Sequence, residues 1–172
     1  MMFRTHILFA LFFYLLFIKI FSLNLSLVFA AILAFGSILP DIDSPSSYVN
    51  AKYLFGIGKT VSAFSKHRGF WHSVFGMLVF STISFAAVYF LKAPFILALA
   101  LPIGYALHLA ADSFNVSGVK WLWKGGHIRG PIRTGSVFEQ LFFVVLLIGT
   151  VYVVLGNGGL KEATAFISKI KP

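Results

Sequence analysis

The sequence predicts an all-α, polytopic membrane protein of about five transmembrane helices, since a crossing takes roughly 20 apolar residues. Three observations carry that expectation. Of 172 residues, 59% are hydrophobic and only 11% are charged, whereas a soluble domain carries about a quarter charged residues to cover its surface. Mean hydropathy is +0.91. The apolar residues also fall into long runs separated by two polar stretches, with no internal repeat.

The first run covers residues 7–21 and follows Met1-Met2-Phe3-Arg4-Thr5-His6. That opening resembles a secretory signal, but no small-residue cleavage site follows and Lys19 is succeeded by a second apolar run. The segment is therefore expected to stay as a span. A short turn around Ser22 and Asn24 leads to the second span, 25–39; both are short for a crossing. Fuller spans are expected at 73–91, 94–111 and 137–155. The loop 40–72 is rich in Ser, Gly and Lys and too polar to cross. The loop 113–136 holds Trp121, Trp123, basic residues and glycines, and suits an interfacial loop with aromatic anchors. The basic tail 161–172 is expected to lie at the surface, and the whole chain reads as one membrane-embedded domain.

Helices that alternate in direction sort the polar residues. His6 starts the first span, the second returns to deliver Asp41 and Asp43, and the third leaves after His67 and His72. The fourth comes back carrying His108 and Asp112, and Glu139 opens the fifth. Four of the five acids and four of the five histidines thus converge on one face, with His127 in its second loop. That face also carries nine of the 14 basic residues: Arg4, Lys52, Lys59, Lys66, Arg68, Lys120, Lys124, Arg129 and Arg133. Basic loops favour a cytoplasmic assignment, with the N-terminus inside.

With no cysteine in the chain, disulfides, thiolate zinc sites and a Cys nucleophile are excluded, and any metal must be held by His and carboxylate. His108 and Asp112 form an i, i+4 pair on one helix face, able to share a metal or a proton. An ionisable pair at the end of an apolar span is costly and marks function, although a structural His–Asp hydrogen bond is the plain alternative. In Pro40-Asp41-Ile42-Asp43 the proline stops a helix, and extended geometry would turn the two carboxylates opposite ways. One could then enter a site while the other caps backbone N–H groups or binds a second metal. His67-Arg68-Gly69-Phe70-Trp71-His72 gathers two imidazoles and a guanidinium at a helix start, a pattern suited to metal and oxyanion binding; the plain alternative is an interfacial segment. Together His6, Asp41, Asp43, His67, His72, His108 and Asp112 exceed one ion's needs, so two ions are expected to fit. His6 could equally be an incidental interfacial residue. Asp43, Arg68 and Glu139 are the candidate catalytic groups, with helix capping as the other role for Glu139. Arg68, His127, Arg129 and Arg133 are candidate phosphate contacts, and a solvated basic loop is the alternative for the last three. No nucleophile elbow for serine hydrolysis is present.

On these residues the chain resembles the YdjM-like family of inner-membrane, metal-dependent hydrolases. The matching motifs are Gly36-Ser-Ile-Leu-Pro-Asp41-Ile-Asp43-Ser44, His67-Arg68-Gly69 through His72-Ser73, and Gly104 through His108-x-x-x-Asp112-Ser113. Thr5-His6 and Thr134-Gly135-Ser136 with Glu139 are similar as well, so the likeness covers nearly the whole chain. It implies a metal and hydrolysis. The site is also distantly similar to those of zinc-dependent phospholipases C and P1-type nucleases, which use His and Asp ligands on phosphodiesters. Where relatives have a proline after the aromatic pair, this chain has Lys124, which implies a second loop of different shape.

The resulting expectation is a membrane-bound hydrolase of phosphoester bonds in a lipid or lipid-linked substrate, with a divalent ion as cofactor: zinc first, manganese or magnesium next. Membrane lipids are the expected partners, and a nucleic-acid role is supported only by charge. The rival class is a metal or proton transporter, or a structural membrane protein using the same His–Asp cluster. Transport predicts ionisable groups deep in several spans, whereas here they lie near one end.

Overall fold

The computed structural model describes residues 1–43, 69–122 and 125–156. Five α-helices make up the described chain: α1 (Phe3–Phe21), α2 (Leu27–Gly36), α3 (Val74–Phe90), α4 (Ala100–Ser113) and α5 (Val137–Gly156). Among the described residues there is no β-strand, only isolated bridges pairing Asn115 with Ile132 and Val119 with Ile128.

Local chemistry sets the helix ends. α1 stops at Ser22, whose left-handed backbone (φ 50°) returns its N–H to the Ile18 carbonyl. The Tyr14 hydroxyl then accepts from Ser26 N and donates to Ser26 O, both at 3.1 Å, which closes the α1–α2 hairpin. Ser26 caps α2 by accepting from Phe29 N, and Ser73 caps α3 by accepting from Phe75 N; such caps satisfy N–H groups left over at a helix start. A 3-10 turn, Phe95–Leu99, runs into α4, which accommodates Pro102 in its first turn, where no intrahelical N–H is lost.

Three segments are long and apolar enough to cross a membrane: Phe3–Phe21, Phe95–Ser113 and Val137–Gly156. The other two, Leu27–Asp41 and Val74–Phe90, are shorter. The first run is thus longer than the sequence suggested, because Phe3 to His6 continue its helix. The third is shorter by one residue at each end, because Ser73 and Leu91 are its caps. Outward-facing side chains are overwhelmingly Phe, Leu, Ile and Val, with Tyr89 and Phe90 each 79% exposed. That distribution suits a lipid solvent, in which helices associate through close packing and not through a hydrophobic drive.

The tightest packing is between α2 and α4. A Cβ at Gly104 would lie 2.1 Å from the Leu33 carbonyl oxygen, and one at Gly36 would lie 2.4 Å from that of Leu101. Only glycine at both positions lets the two backbones touch. Leu33, with Ala10 of α1 and Ala100, fills the layer beneath. The crossing matters because Ser37 follows Gly36, and His108 lies one turn beyond Gly104.

Candidate metal centre

Ten polar or charged residues are buried among those described: Thr5, His6, Ser37, His72, Ser73, Ser84, His108, Asp112, Asn115 and Glu139. All except Ser84 belong to the end of the bundle where α1, α3 and α5 begin and α2 and α4 finish. Polar burial on this scale in an apolar bundle needs a partner for each group.

His108 is the hub. Its Nδ1 lies 2.7 Å from the Ser37 carbonyl oxygen. A carbonyl only accepts, so Nδ1 is the donor, and the lone pair of the neutral ring falls on Nε2. Nε2 faces two carboxylates, 3.9 Å from Asp41 Oδ1 and 3.9 Å from Asp112 Oδ2. Around it, His72 Nε2 is 3.5 Å from Asp41 Oδ1, and His6 Nε2 is 3.4 Å from Asp112 Oδ1. The His6 and His108 rings stack at 3.8 Å with an interplanar angle of 15°, and His72 meets His108 edge-on at 5.3 Å.

These separations decide what the cluster is built for. At 3.4–3.9 Å they exceed hydrogen-bond lengths. Ligand atoms about 2.1 Å from a shared ion at a tetrahedral angle stand about 3.4 Å apart, close to the His6–Asp112 and His72–Asp41 separations and shorter than the 3.9 Å from His108 to each carboxylate. Among the described residues two overlapping groups qualify as ligand sets, His6–Asp41–His108 and His72–His108–Asp112, each with its ligand atoms within 4.8 Å of one another. Both ring nitrogens of the buried His6, and Nε2 of His108, also lack a hydrogen-bond partner among the described residues. Three imidazoles and two carboxylates without sulfur suit zinc or manganese better than magnesium, which prefers an all-oxygen shell. The α-amino group of Met1 also reaches Asp112 Oδ1, at 2.7 Å.

Of the ligands expected from the sequence, His6, Asp41, His72, His108 and Asp112 are therefore brought together. His67, Arg68 and the side chain of Asp43 lie outside the described residues. The geometry expected at Asp41 is corrected: Leu39–Asp43 is a 3-10 helix and not extended chain. Pro40 does not end the winding but sits inside the tight turn, and Asp41 N donates to the Ile38 carbonyl at 3.2 Å. Its side chain is 17% exposed, so it is the member of the cluster that reaches the outside.

Glu139 is buried beside the cluster but belongs to neither ligand group. Its Oε1 accepts from Met2 N at 2.6 Å and from the Thr5 hydroxyl at 3.2 Å, and its Oε2 accepts from Gly135 N at 2.6 Å. Ser136 Oγ accepts in turn from Glu139 N at 3.3 Å. Ser136 thus caps α5, while the Glu139 carboxylate takes the N–H one residue before that cap and grips the first turn of α1 next to His6, the contacts of a structural carboxylate. Glu139→Ala is expected to lower stability by roughly 2–3 kcal/mol, because buried donors lose their acceptor, and to weaken zinc binding through His6. Thermal unfolding and zinc titration in detergent check this; a catalytic Glu139 would lose turnover with both unchanged.

His127, Arg129 and Arg133 are exposed on the loop after α4 and lie in neither ligand group. Arg129 Nη2 donates to His127 Nδ1 at 3.3 Å. In the same loop, Trp121 is half-buried. Its ring packs against Leu39, Tyr105, Leu109 and Val119, its Nε1 donates to Ser113 Oγ at 3.0 Å, and its carbonyl accepts from Val74 N at 2.8 Å. Trp123 and Lys124 lie outside the described residues.

Three supporting residues escape a sequence reading. Ser37 acts through its carbonyl, one of the unsatisfied acceptors at a helix C-terminus. Thr5 works through Glu139. The buried Tyr105 donates to the Trp71 carbonyl, and the absence of a side chain at Gly76 leaves room for that hydroxyl, which steadies the turn presenting His72. Such outer contacts orient ligands as much as the ligands hold the ion.

A family model described as the YdjM inner membrane protein matches residues 1–169. The uncharacterized protein YvsG of Bacillus subtilis (strain 168) is 32% identical over 126 residues, covering 69% of this chain and 73% of that protein. No solved structure matches.

Proposed function

The chain belongs to the YdjM inner membrane protein family, and we propose that it acts there as a metal-dependent hydrolase of phosphoester bonds in a lipid or lipid-linked substrate. The observation that supports this most is the convergence of His6, His72 and His108 with Asp41 and Asp112 at one end of an apolar bundle. A bound divalent ion, zinc by preference, would supply Lewis acidity to a phosphoryl oxygen and make water nucleophilic near neutral pH.

The chain's own residues do the rest. The Ser37 carbonyl fixes the tautomer and aim of His108, and Glu139 secures the helix start that carries His6. Asp41, partly exposed, marks the side from which a substrate approaches. Arg68 would clamp phosphate through paired N–H donors, with Asp43 as a further carboxylate. All five helices cross or enter the bilayer as one domain, and the site end faces the cytoplasm, where the basic loops lie. A substrate already in the leaflet needs no aqueous transit to a site at headgroup level.

The test is phosphate release from a lipid phosphomonoester and a phosphodiester by detergent-purified protein. Turnover lost on chelation, restored by zinc and absent in His108→Ala supports hydrolysis. Zinc-loaded protein with no more turnover than His108→Ala on either lipid overturns it. Zinc flux into vesicles without hydrolysis would mark a transporter instead.

A further inference from the structure

The loop between α4 and α5 is more than a connection. Val119 and Ile128 exchange backbone hydrogen bonds at 3.0 and 3.1 Å, Val116 N donates to Ile132 O at 2.8 Å, and Ile132 N donates to Phe114 O at 3.0 Å. Asn115 Nδ2 closes the base on the Thr134 hydroxyl at 2.7 Å. A Cβ at Gly130 would lie 2.4 Å from the Phe114 carbonyl oxygen, so the two sides of the arm approach as closely as backbones can. Residues 114–122 and 125–134 therefore form a folded arm, fastened through Trp121 to Ser113, beside Asp112, and to Val74, just after His72.

Two properties of that arm point to one partner. It mixes exposed apolar side chains, Leu122 at 65% and Ile128 at 53%, with the exposed cations Arg129 and Arg133. It also contains four Lys or Arg and no Asp or Glu between residues 114 and 136. Among the described residues at this end the carboxylates are withdrawn from the surface: Asp112 and Glu139 are buried and Asp41 is 17% exposed. On the arm a zwitterionic headgroup would bring its ammonium against cations with no acidic side chain between residues 114 and 136 to receive it, whereas an anionic headgroup meets complementary charge.

We infer that the arm formed by residues 114–122 and 125–134 is a docking surface for anionic phospholipid headgroups, held beside the His–Asp cluster. The apolar residues enter the acyl boundary while Arg129 and Arg133 take the phosphate, the division of labour of interfacial protein segments. The inference deepens the proposed function by naming its lipid class; it rests on that function for the fate of the lipid and not for the binding, which needs no metal.

The three tryptophans, Trp71, Trp121 and Trp123, all fall in or next to the two site-end loops, and they report on nearby lipid. The full chain is reconstituted in phosphatidylcholine vesicles, with brominated acyl chains carried either by phosphatidylglycerol or by phosphatidylcholine, and tryptophan quenching gives relative affinity. Each basic residue at a lipid surface contributes about fivefold to affinity for anionic lipid. Wild type should therefore favour phosphatidylglycerol several-fold, with or without chelator. Arg129→Gln/Arg133→Gln should lose most of that preference while keeping helical content, and Lys92→Gln at the opposite end should keep it. Equal quenching by both lipids overturns the inference, as does an unchanged preference in the double variant. Loss of the preference on adding inorganic phosphate overturns it too, by identifying a free-phosphate site. Preference without hydrolysis leaves the arm standing and removes only the proposed enzyme.

Discussion

His108→Ala is expected to strip the protein of tightly held zinc. This residue is shared by both candidate ligand groups, and its removal leaves each of them with only two members. Loss of an outer-shell partner alone costs about 10–100-fold in metal affinity, so loss of the shared ligand should exceed about 100-fold. Asp112→Asn should act in the same direction, because the amide keeps the shape but not the charge. The measurement is zinc per protein by elemental analysis after dialysis against a weak chelator, with helical content checked by circular dichroism. Zinc retained at the wild-type ratio in a folded His108→Ala protein would show that the ion sits elsewhere.

Gly104→Val carries the second large effect, and it works at a distance. The new side chain would begin 2.1 Å from the Leu33 carbonyl oxygen, a backbone atom that cannot swing aside. α2 and α4 must then separate. Overpacking alone costs about 1–3 kcal/mol, and the separation also withdraws the Ser37 carbonyl from His108 Nδ1, now at 2.7 Å. The imidazole loses its fixed tautomer and aim, so metal affinity should fall together with thermal stability, although no ligand has changed. Ile103→Val, one position away with its side chain 42% exposed, should leave both nearly unaltered. A Gly104→Val protein that melts and binds zinc like wild type would refute the close crossing.

Much of this was readable in the chain because a bilayer makes sequence explicit. Apolar runs and the hand of helix alternation suffice to bring His6, Asp41, His72, His108 and Asp112 to one end. What the sequence could not disclose are contacts that depend on backbone atoms. Nothing in Ser37 as a residue type predicts that its carbonyl would orient His108. The 3-10 turn at Leu39–Asp43 was hidden because Pro40 reads as a helix stop, yet a proline is also compatible with the first turn of a tight helix. Glu139 carried two readings, catalytic group and cap, that composition cannot separate. Its oxygens take three donors, the contacts a capping carboxylate makes. Trp121 read as a lipid anchor because tryptophans gather at interfaces, but its N–H found Ser113 and its ring found the core.

X-ray absorption at the zinc edge tests the five-residue centre most directly. Zinc-loaded wild-type protein should show an all nitrogen and oxygen shell, with imidazole scattering from His6, His72 and His108 and nitrogen distances of about 2.0–2.1 Å. The imidazole signal should weaken by about a third in His6→Ala. A shell of water oxygens without imidazole, or a wild-type spectrum unchanged in His6→Ala and His72→Ala alike, would contradict it.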